Sequence, residues 1–516
     1  MILDFSSQLD YVWALLPEVI LAVVGLVVLT VDVFDRGSSE EQSGRWVPVL
    51  TIAGLVAAGA ATVFLASVEG PGRMSMVAVD GMRVALTLVV IGATILALLF
   101  SLEELELRGI AVGEFYFLVL MATIGMTLLT AARDLILVFV AIELMSIAVY
   151  VLTGFDRRSR RSAEASLKYF MVGAFASGFL LYGIALVFGA VGGTNLELVG
   201  SSVTAAAADG SLLLQAGIAL LVIGLGFKVS AVPFHMWTPD AYEGAPTPVT
   251  AFMAAGVKAA GFAAGLRVVA VGLAPAVGMW HDIVWWLALL TMIVPNLIAL
   301  QEDDVKRMLA YSSIAHAGYL LVGLVAGGAR GISATIFYLG VYGLMTVGSF
   351  AVVAVVAAGS ENAALGKFRG LGWSRPLLSL LMVVCLLSLA GFPPTGGFVG
   401  KLYLLQAAMS AGEVTLAVVL VLTSLVSYYY YLRVIWMMYF DEAPEGEGPA
   451  VPRRAFQFAG GVAVLGLLAS GLFPGPAIDV TEAAGLEAAP VVDMDPGTPP
   501  ASPTRAPPAA PIPAAE

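Results

Sequence analysis

Apolar runs, each near the length a helix needs to cross a bilayer, recur along almost the whole chain. A span needs about 20 such residues, and on that measure the sequence holds about fourteen. Their centres fall near Val23, Val56, Val90, Met121, Glu143, Phe175, Ile218, Lys258, Leu289, Ala317, Tyr342, Cys385, Leu425 and Leu465. Hydrocarbon offers backbone N–H and C=O groups no outside partner, so runs of this kind have to be helices. Composition agrees, with 59% hydrophobic and 12% charged residues among 516 and a mean hydropathy of +0.94, far too apolar for a soluble chain of this length. The expected fold is an all-α polytopic membrane protein with about 14 transmembrane helices.

The N-terminus, MILDFSSQLDYVWALLPEV, carries acids where a signal peptide needs positive charge, so the first apolar run reads as an uncleaved span. Loops after odd-numbered spans hold Arg36, Arg45, Arg108, Arg157, Arg158, Arg160, Arg161, Lys306, Arg307, Lys367, Arg369, Arg375, Arg453 and Arg454, whereas loops after even-numbered spans offer little beyond Arg73, Arg133 and Arg330. The positive-inside bias then makes the odd loops cytoplasmic, with both termini on the outer, periplasmic side of a bacterial plasma membrane. Residues 1–476 form the expected membrane-embedded domain. From Ala477 to Glu516 the composition turns to Pro, Ala and scattered acids without periodicity, which predicts a disordered acidic tail. A net charge of -12 and the lack of a basic face with interleaved aromatics set nucleic-acid binding aside. The single cysteine, Cys385, lies in an apolar run and reads as a small hydrophobe, leaving no disulfide framework and no cysteine metal site.

One stretch breaks the pattern. Gly226 to Val249, GFKVSAVPFHMWTPDAYEGAPTPV, holds a lysine, a histidine and four prolines between two apolar runs. Pro233 removes a backbone donor and clashes with the carbonyl one turn back, so the helix should break there. Broken backbone is tolerated at membrane depth only inside protein or beside a wet cavity, which makes Lys228 the first candidate for an ion path. A second break falls at Pro393 and Pro394, just before Lys401. The two lie five spans apart, which points to two inverted five-helix repeats, spans 4–8 and 9–13, each with a broken helix and with the path at their interface.

Three more ionisable residues sit near the middle of spans: Glu143, Lys258 and His316. Glycines and alanines flank Lys258, notably Gly256 and Gly261, and allow neighbouring helices to come close. Any one of these charges could belong to a structural ion pair, and a lone membrane histidine is as readily a hydrogen-bonded packing residue. Five such groups on five helices at similar depth favour a proton relay over a set of accidental pairs. A buried lysine loses its proton through desolvation and regains it when a carboxylate approaches, so Glu143 near Lys228 acts as a switch, and a histidine with a near-neutral pKa suits the middle of the relay. Lys168 is a weaker member, because Glu164 one turn earlier is an available partner. The run Tyr428 to Tyr431 reads as packing or hydration lining, and Arg433 as a helix-end or lipid-facing charge.

At these residues the chain resembles the antiporter-like membrane subunits of respiratory complex I, the proton-pumping NADH:quinone oxidoreductase. The matching segments are KVSAVPFHMWTPDAYEGAPTPVTAF, VKAAGF, DDVKRMLAYSSIAHAGYLLVG and GFPPTGGFVGKLYLL, in the family's order. The resemblance covers about residues 10–475. It implies that Glu143 and Lys228 are the modulating pair, Lys258 and His316 the bridge and Lys401 the terminal lysine of a central hydrophilic axis. It also implies partners: a neighbouring antiporter-like subunit, small membrane subunits and the lipid bilayer. No cofactor is expected in this chain, with FMN, iron–sulfur clusters and quinone belonging to partner subunits. No Gly-rich nucleotide loop, cysteine cluster or haem ligand pair appears in the sequence. The lack of a long lateral helix argues against the family's subunit-L type, and Lys401, where the subunit-M type has glutamate, argues against that one. Two other functions fit the sequence: a subunit of a multisubunit cation/proton antiporter, and a structural membrane subunit with no proton path of its own.

Overall fold

The computed structural model describes residues 8–35, 46–68, 76–108, 110, 112–208, 210–358, 362–443 and 454–489. Within them the chain is a succession of helices: α1 (Leu16–Asp35), α2 (Trp46–Leu65), α3 (Gly81–Arg108), α4 (Gly113–Ala131), α5 (Leu135–Thr153) and α6 (Arg160–Val191). There follow the pair α7a (Leu212–Lys228) and α7b (Trp237–Gly244), then α8 (Thr247–Gly272), α9 (Val277–Ala299), α10 (Val305–Ala326) and α11 (Gly328–Val356). The pair α12a (Pro376–Ala390) and α12b (Gly396–Ser410) leads to α13 (Val414–Phe440), α14 (Arg454–Leu472) and α15 (Gly475–Ala488). Among the described residues, 12 helices are long and apolar enough to cross a membrane. The sequence expectation of about fourteen spans differs because the stretches around Pro233 and Pro393 are each split into two shorter helices, so neither qualifies by length.

Side chains mark many of the helix ends. The carboxylate of Asp134 accepts from the Ile136 amide at the start of α5, and that of Asp304 from the Arg307 amide at the start of α10, each satisfying an orphan donor of a first turn. Ser159 and Ser211 do the same for α6 and α7a. α6 ends at Gly192, whose φ of 80° is a left-handed conformation that glycine adopts without steric cost.

Two blocks of the chain repeat one packing scheme. α4 lies on α5 as α9 lies on α10; α6 lies on both α7a and α7b as α11 lies on both α12a and α12b; α8 returns to α4 as α13 returns to α9. The connections match as well. Leu135 donates to Thr194 O while Leu196 donates to Arg133 O, and correspondingly Val305 donates to Ala363 O while Leu365 donates to Asp303 O. Burial is greatest at the centre. The best spanning windows of α8 and α10 are 100% buried, whereas those of α1, α6, α13 and α14 leave most of their apolar residues on the outside. The helices that carry Lys258 and His316 are thus the most enclosed in the molecule, where an ionic group has the least access to solvent.

α15 extends into the stretch that the sequence reading assigned to a structureless tail. Its Thr481, Ala484, Gly485 and Ala488 are buried against α11 and α3, so small residues without a clear apolar period still form a packed helix. Glu487 Oε2 accepts from the Gly81 amide at 2.7 Å, and Glu482 Oε1 accepts from the Tyr403 hydroxyl at 3.1 Å. The rest of the expected tail, 490–516, lies outside the described residues, as do Arg36, Arg45, Arg73 and Arg453 of the orientation argument.

Candidate functional site

Four of the sequence-predicted residues, Lys228, Lys258, His316 and Lys401, are buried in the core. Lys228 is the last residue of α7a, 5% exposed, and its Nζ donates to Ser146 Oγ of α5 at 2.8 Å. Glu143 lies one turn before Ser146, and its carboxylate accepts a short bond from Ser177 Oγ of α6. Among the described residues no ion pair joins the two expected partners: Lys228 is bonded to Ser146 and Glu143 to Ser177, two different serines.

Lys258, 2% exposed in α8, donates to the carbonyl and the hydroxyl of Ser313 in α10. Tyr342 of α11 donates to the same Ser313 hydroxyl at 2.8 Å, and Lys258 Nζ stands 5.5 Å from the centre of the Tyr342 ring. One turn along α10, His316 is held on both nitrogens: Nδ1 with the Tyr338 hydroxyl at 2.7 Å and Nε2 with the Tyr431 hydroxyl at 3.2 Å. Tyr431 also shares a short bond with Ser312. The expected close approach at Gly261 is present, since a Cβ built there would stand 3.5 Å from Lys228 O.

Lys401, 6% exposed in α12b, donates to the carbonyls of Leu389 and Ala390, both at 2.9 Å. These are the last carbonyls of α12a, which lack helical partners at the break. Its Nζ also lies 5.0 Å over the ring of Tyr319, whose hydroxyl leads through Asn296 to Tyr430 at 3.3 and 2.8 Å.

Lys168 lies apart from this series. It pairs with Glu164 at 2.8 Å, as its spacing predicts, and with Asp240 of α7b at 3.0 Å, with about half of its side chain exposed. Asp240 and Glu243 also hold Arg307 at 3.1 and 2.7 Å, and Lys306 Nζ donates to the Glu243 and Ala245 carbonyls at the end of α7b. This outer shell fixes one end of the broken helix. Arg433, expected at a helix end or facing lipid, pairs with Asp303 of the loop before α10 at 2.5 Å and donates to Glu302 O.

Several participants were missed. Tyr431 and Tyr430 of the tyrosine run, read as packing or hydration lining, make buried side-chain hydrogen bonds, as do Tyr319, Tyr338, Tyr342, Ser312, Ser313 and Asn296 around them and Ser146 at Lys228. His235, inside the first break, has a buried Nδ1 with no hydrogen-bond partner. A second charged cluster was also unforeseen: Arg267 at the end of α8 holds both oxygens of Asp80 at 2.6 Å, Arg133 approaches Asp80 at 3.6 Å, and Arg83 pairs with Glu18 at 3.0 Å. Burial disfavours the charge on Asp80, but the Arg267 guanidinium, the Arg83 amide and Arg133 together outweigh it and hold the pKa down at about 2.

Two broken helices, a repeated packing scheme and a lysine–histidine–lysine series buried between them define an antiporter-like membrane protein. Residues 132–427 match the family described as "NADH:quinone oxidoreductase/Mrp antiporter, TM", and the chain belongs to it. Within that family it is 46% identical over 432 residues to the NADH-quinone oxidoreductase subunit N of Trichlorobacter lovleyi, a match spanning 84% of this chain and 88% of the relative. Among solved structures, a chain of the respiratory complex I from Thermus thermophilus with bound aureothin superposes with a TM-score of 0.76 at 36% identity, covering 91% of this chain and 100% of that one. A chain of the Mrp complex from Dietzia sp. superposes with a TM-score of 0.78 at 25% identity, covering 93% and 97%.

Proposed function

We propose that the chain is the proton-translocating N subunit of a respiratory complex I, moving protons through the series Glu143, Lys228, Lys258, His316 and Lys401. The observation that carries this reading is the burial of four ionisable side chains, Lys258 and His316 on the two most enclosed helices and Lys228 and Lys401 at the two helix breaks, where a charge without a task is costly. An excess proton enters at the pair Glu143 and Lys228. Withdrawal of the carboxylate weakens the hold of Lys228 on its proton, which passes through water to Lys258. Ser313 and His316 with its two tyrosines carry it toward Lys401, where the carbonyl end of α12a favours positive charge. Electron transfer takes place in partner subunits that hold FMN, iron–sulfur clusters and quinone, and its energy reaches this chain as a conformational or electrostatic change. Lys168 tunes the entry by way of Asp240.

On this reading α7a with α7b and α12a with α12b are spans 7 and 12. The matched packing then describes two five-helix repeats, and their odd number inverts the second relative to the first. The positive-inside bias supports a bacterial plasma membrane with both termini outside. An adjacent antiporter-like subunit and small membrane subunits are the proposed neighbours. The likeness to an Mrp complex chain favours, as a second reading, a subunit of a cation/proton exchanger.

The deciding experiment purifies the tagged chain from membranes and measures NADH-driven proton pumping of the intact assembly. Flavin and iron–sulfur subunits should co-purify, and Lys228→Ala, Glu143→Ala and Lys401→Ala should each lower pumping by about tenfold or more with assembly preserved. Co-purification of exchanger subunits instead, with sodium-dependent transport, overturns complex I membership. Loss of assembly in the variants would make the lysines structural.

A further inference from the structure

Lys401 has three N–H donors, and two of them go to the carbonyls of Leu389 and Ala390 at 2.9 Å. Among the described residues no carboxylate pairs with it. Its ammonium stands instead over the ring of Tyr319 of α10, 5.0 Å from Nζ to the ring centre. Tyr319 is 0% exposed, and its ring also meets the imidazole of His316 edge to face, with centres 5.2 Å apart. One aromatic side chain is therefore in contact with the last two members of the series. The hydroxyl of Tyr319 is braced from two other helices: Asn296 Nδ2 of α9 donates to it at 3.3 Å, and Asn296 Oδ1 accepts from Tyr430 of α13 at 2.8 Å.

The other two buried lysines of the series are placed in the same way. Lys258 Nζ is 5.5 Å from the centre of Tyr342, and Lys228 Nζ is 5.6 Å from that of Phe227 and 5.9 Å from that of Tyr150. All these rings are buried, and all lie within the roughly 6 Å over which a ring face attracts an ammonium. The attraction comes from the ring quadrupole, so it needs no second buried charge. A carboxylate in the same place would be left as an unpaired buried anion each time the lysine became neutral, whereas a ring is neutral in both states. An aromatic face therefore suits a lysine that has to gain and lose a proton.

We propose that the face of Tyr319 is the counter-group that positions the Lys401 ammonium, in the role a carboxylate fills in an ordinary ion pair. The inference rests on the reading of Lys401 as a charge-carrying member of the proton path. In that path Tyr319 is a positioning residue: it holds the ammonium while the proton is present and is itself unchanged when the proton leaves. Asn296 keeps the ring from turning away. Because the ring face does the holding, the effect of each change at this position follows the electron density of the ring and not the hydroxyl alone.

The test replaces Tyr319 in the intact assembly, by stop-codon suppression, with Phe and with Phe carrying one, two or three ring fluorines, which draw charge from the ring face with little change of shape. Proton pumping by inverted vesicles is measured for each, beside Lys401→Ala. Tyr319→Phe keeps the ring but loses the bond to Asn296, and should lower pumping by about threefold. The fluorines should lower it further in steps, to about tenfold below the Phe variant when three are present. Tyr319→Leu, which has no ring, should fall as far. Pumping that stays flat across the fluorine series while Lys401→Ala is impaired overturns the inference and leaves Lys401 in the path. Unimpaired pumping by Lys401→Ala overturns the path and the inference with it. If Tyr319→Leu does not assemble, the fluorine series decides, because its members differ in charge distribution and hardly in shape.

Discussion

Ser146, one turn after Glu143 on α5, is the hydrogen-bond partner of Lys228. Its own hydrogen goes to Ile142 O, so the oxygen is left to accept from Lys228. Ser146→Ala should therefore lower pumping several-fold without dissociating the assembly, and Ser146→Thr, which keeps the hydroxyl, should restore most of it. A pumping assay on inverted vesicles reads both, and an unchanged Ala variant would remove Ser146 from the path. Tyr431→Phe deletes the hydroxyl shared by Ser312 and His316 but keeps the ring. Losing two buried hydrogen bonds costs about 1 kcal/mol of stability each, so a fall in pumping of about tenfold with a modest fall in Tm is expected, measured on the same preparation. At this scale the sequence shows charge but not hydroxyls. Glu143, Lys228, Lys258, His316 and Lys401 stand out because each interrupts an apolar run. A tyrosine or serine does not, so Tyr338, Tyr431 and Ser313 become visible only when their partners from other helices are in place. Lys168 shows the same limit: Glu164 is four residues away and readable, whereas Asp240 is 72 residues away and is not.

Among the elements, the broken helices share one device. Lys306 caps the carbonyl end of α7b and Lys401 that of α12a, so in both halves an ammonium satisfies acceptors exposed by a short helix. Proline chemistry makes both breaks legible in the sequence, but it does not reveal that the donor for one of them comes from α10. The intact helices share another device, close contact through glycine. A Cβ on Gly125 of α4 would come within 2.6 Å of Met145 N in α5, and one on Gly318 of α10 within 2.6 Å of Met292 N in α9. The obstacle in each case is backbone, which cannot rotate away. Gly125→Ala and Gly318→Ala should each destabilise by about 1–3 kcal/mol, seen as a lower Tm of the solubilised protein, and an unaltered Tm would contradict the contact. Their equivalence across the two blocks was not readable beforehand, because the chain has 56 glycines and nothing in the sequence sets these two apart.

Across the whole molecule, the Asp80 cluster ties the start of α3 to the end of α8 and to the loop before α5. With its carboxyl held from the usual 3.8 down to about 2, the pairing contributes stability fully above pH 3.8 and loses it as the pH falls toward 2. The depression corresponds to about 2 kcal/mol. Thermal unfolding of the protein and of Asp80→Asn, followed from pH 6 to pH 2.5, should show a gap in acid sensitivity that opens only below about pH 4; parallel curves would assign the cluster no such role. The all-helical, membrane-spanning fold was legible because length and hydropathy determine it directly. The end of the packed region was not, since α15 is rich in alanine, glycine and acids and is held chiefly by contacts with α3 and α11.

The junction of Lys258 with Ser313 joins a residue of the first packing block to one of the second. On the proposed path the two blocks are conductors wired in series, and this junction is the link between them. Throughput is then limited by the slower transfer on either side of it, and improving the faster block alone gains nothing.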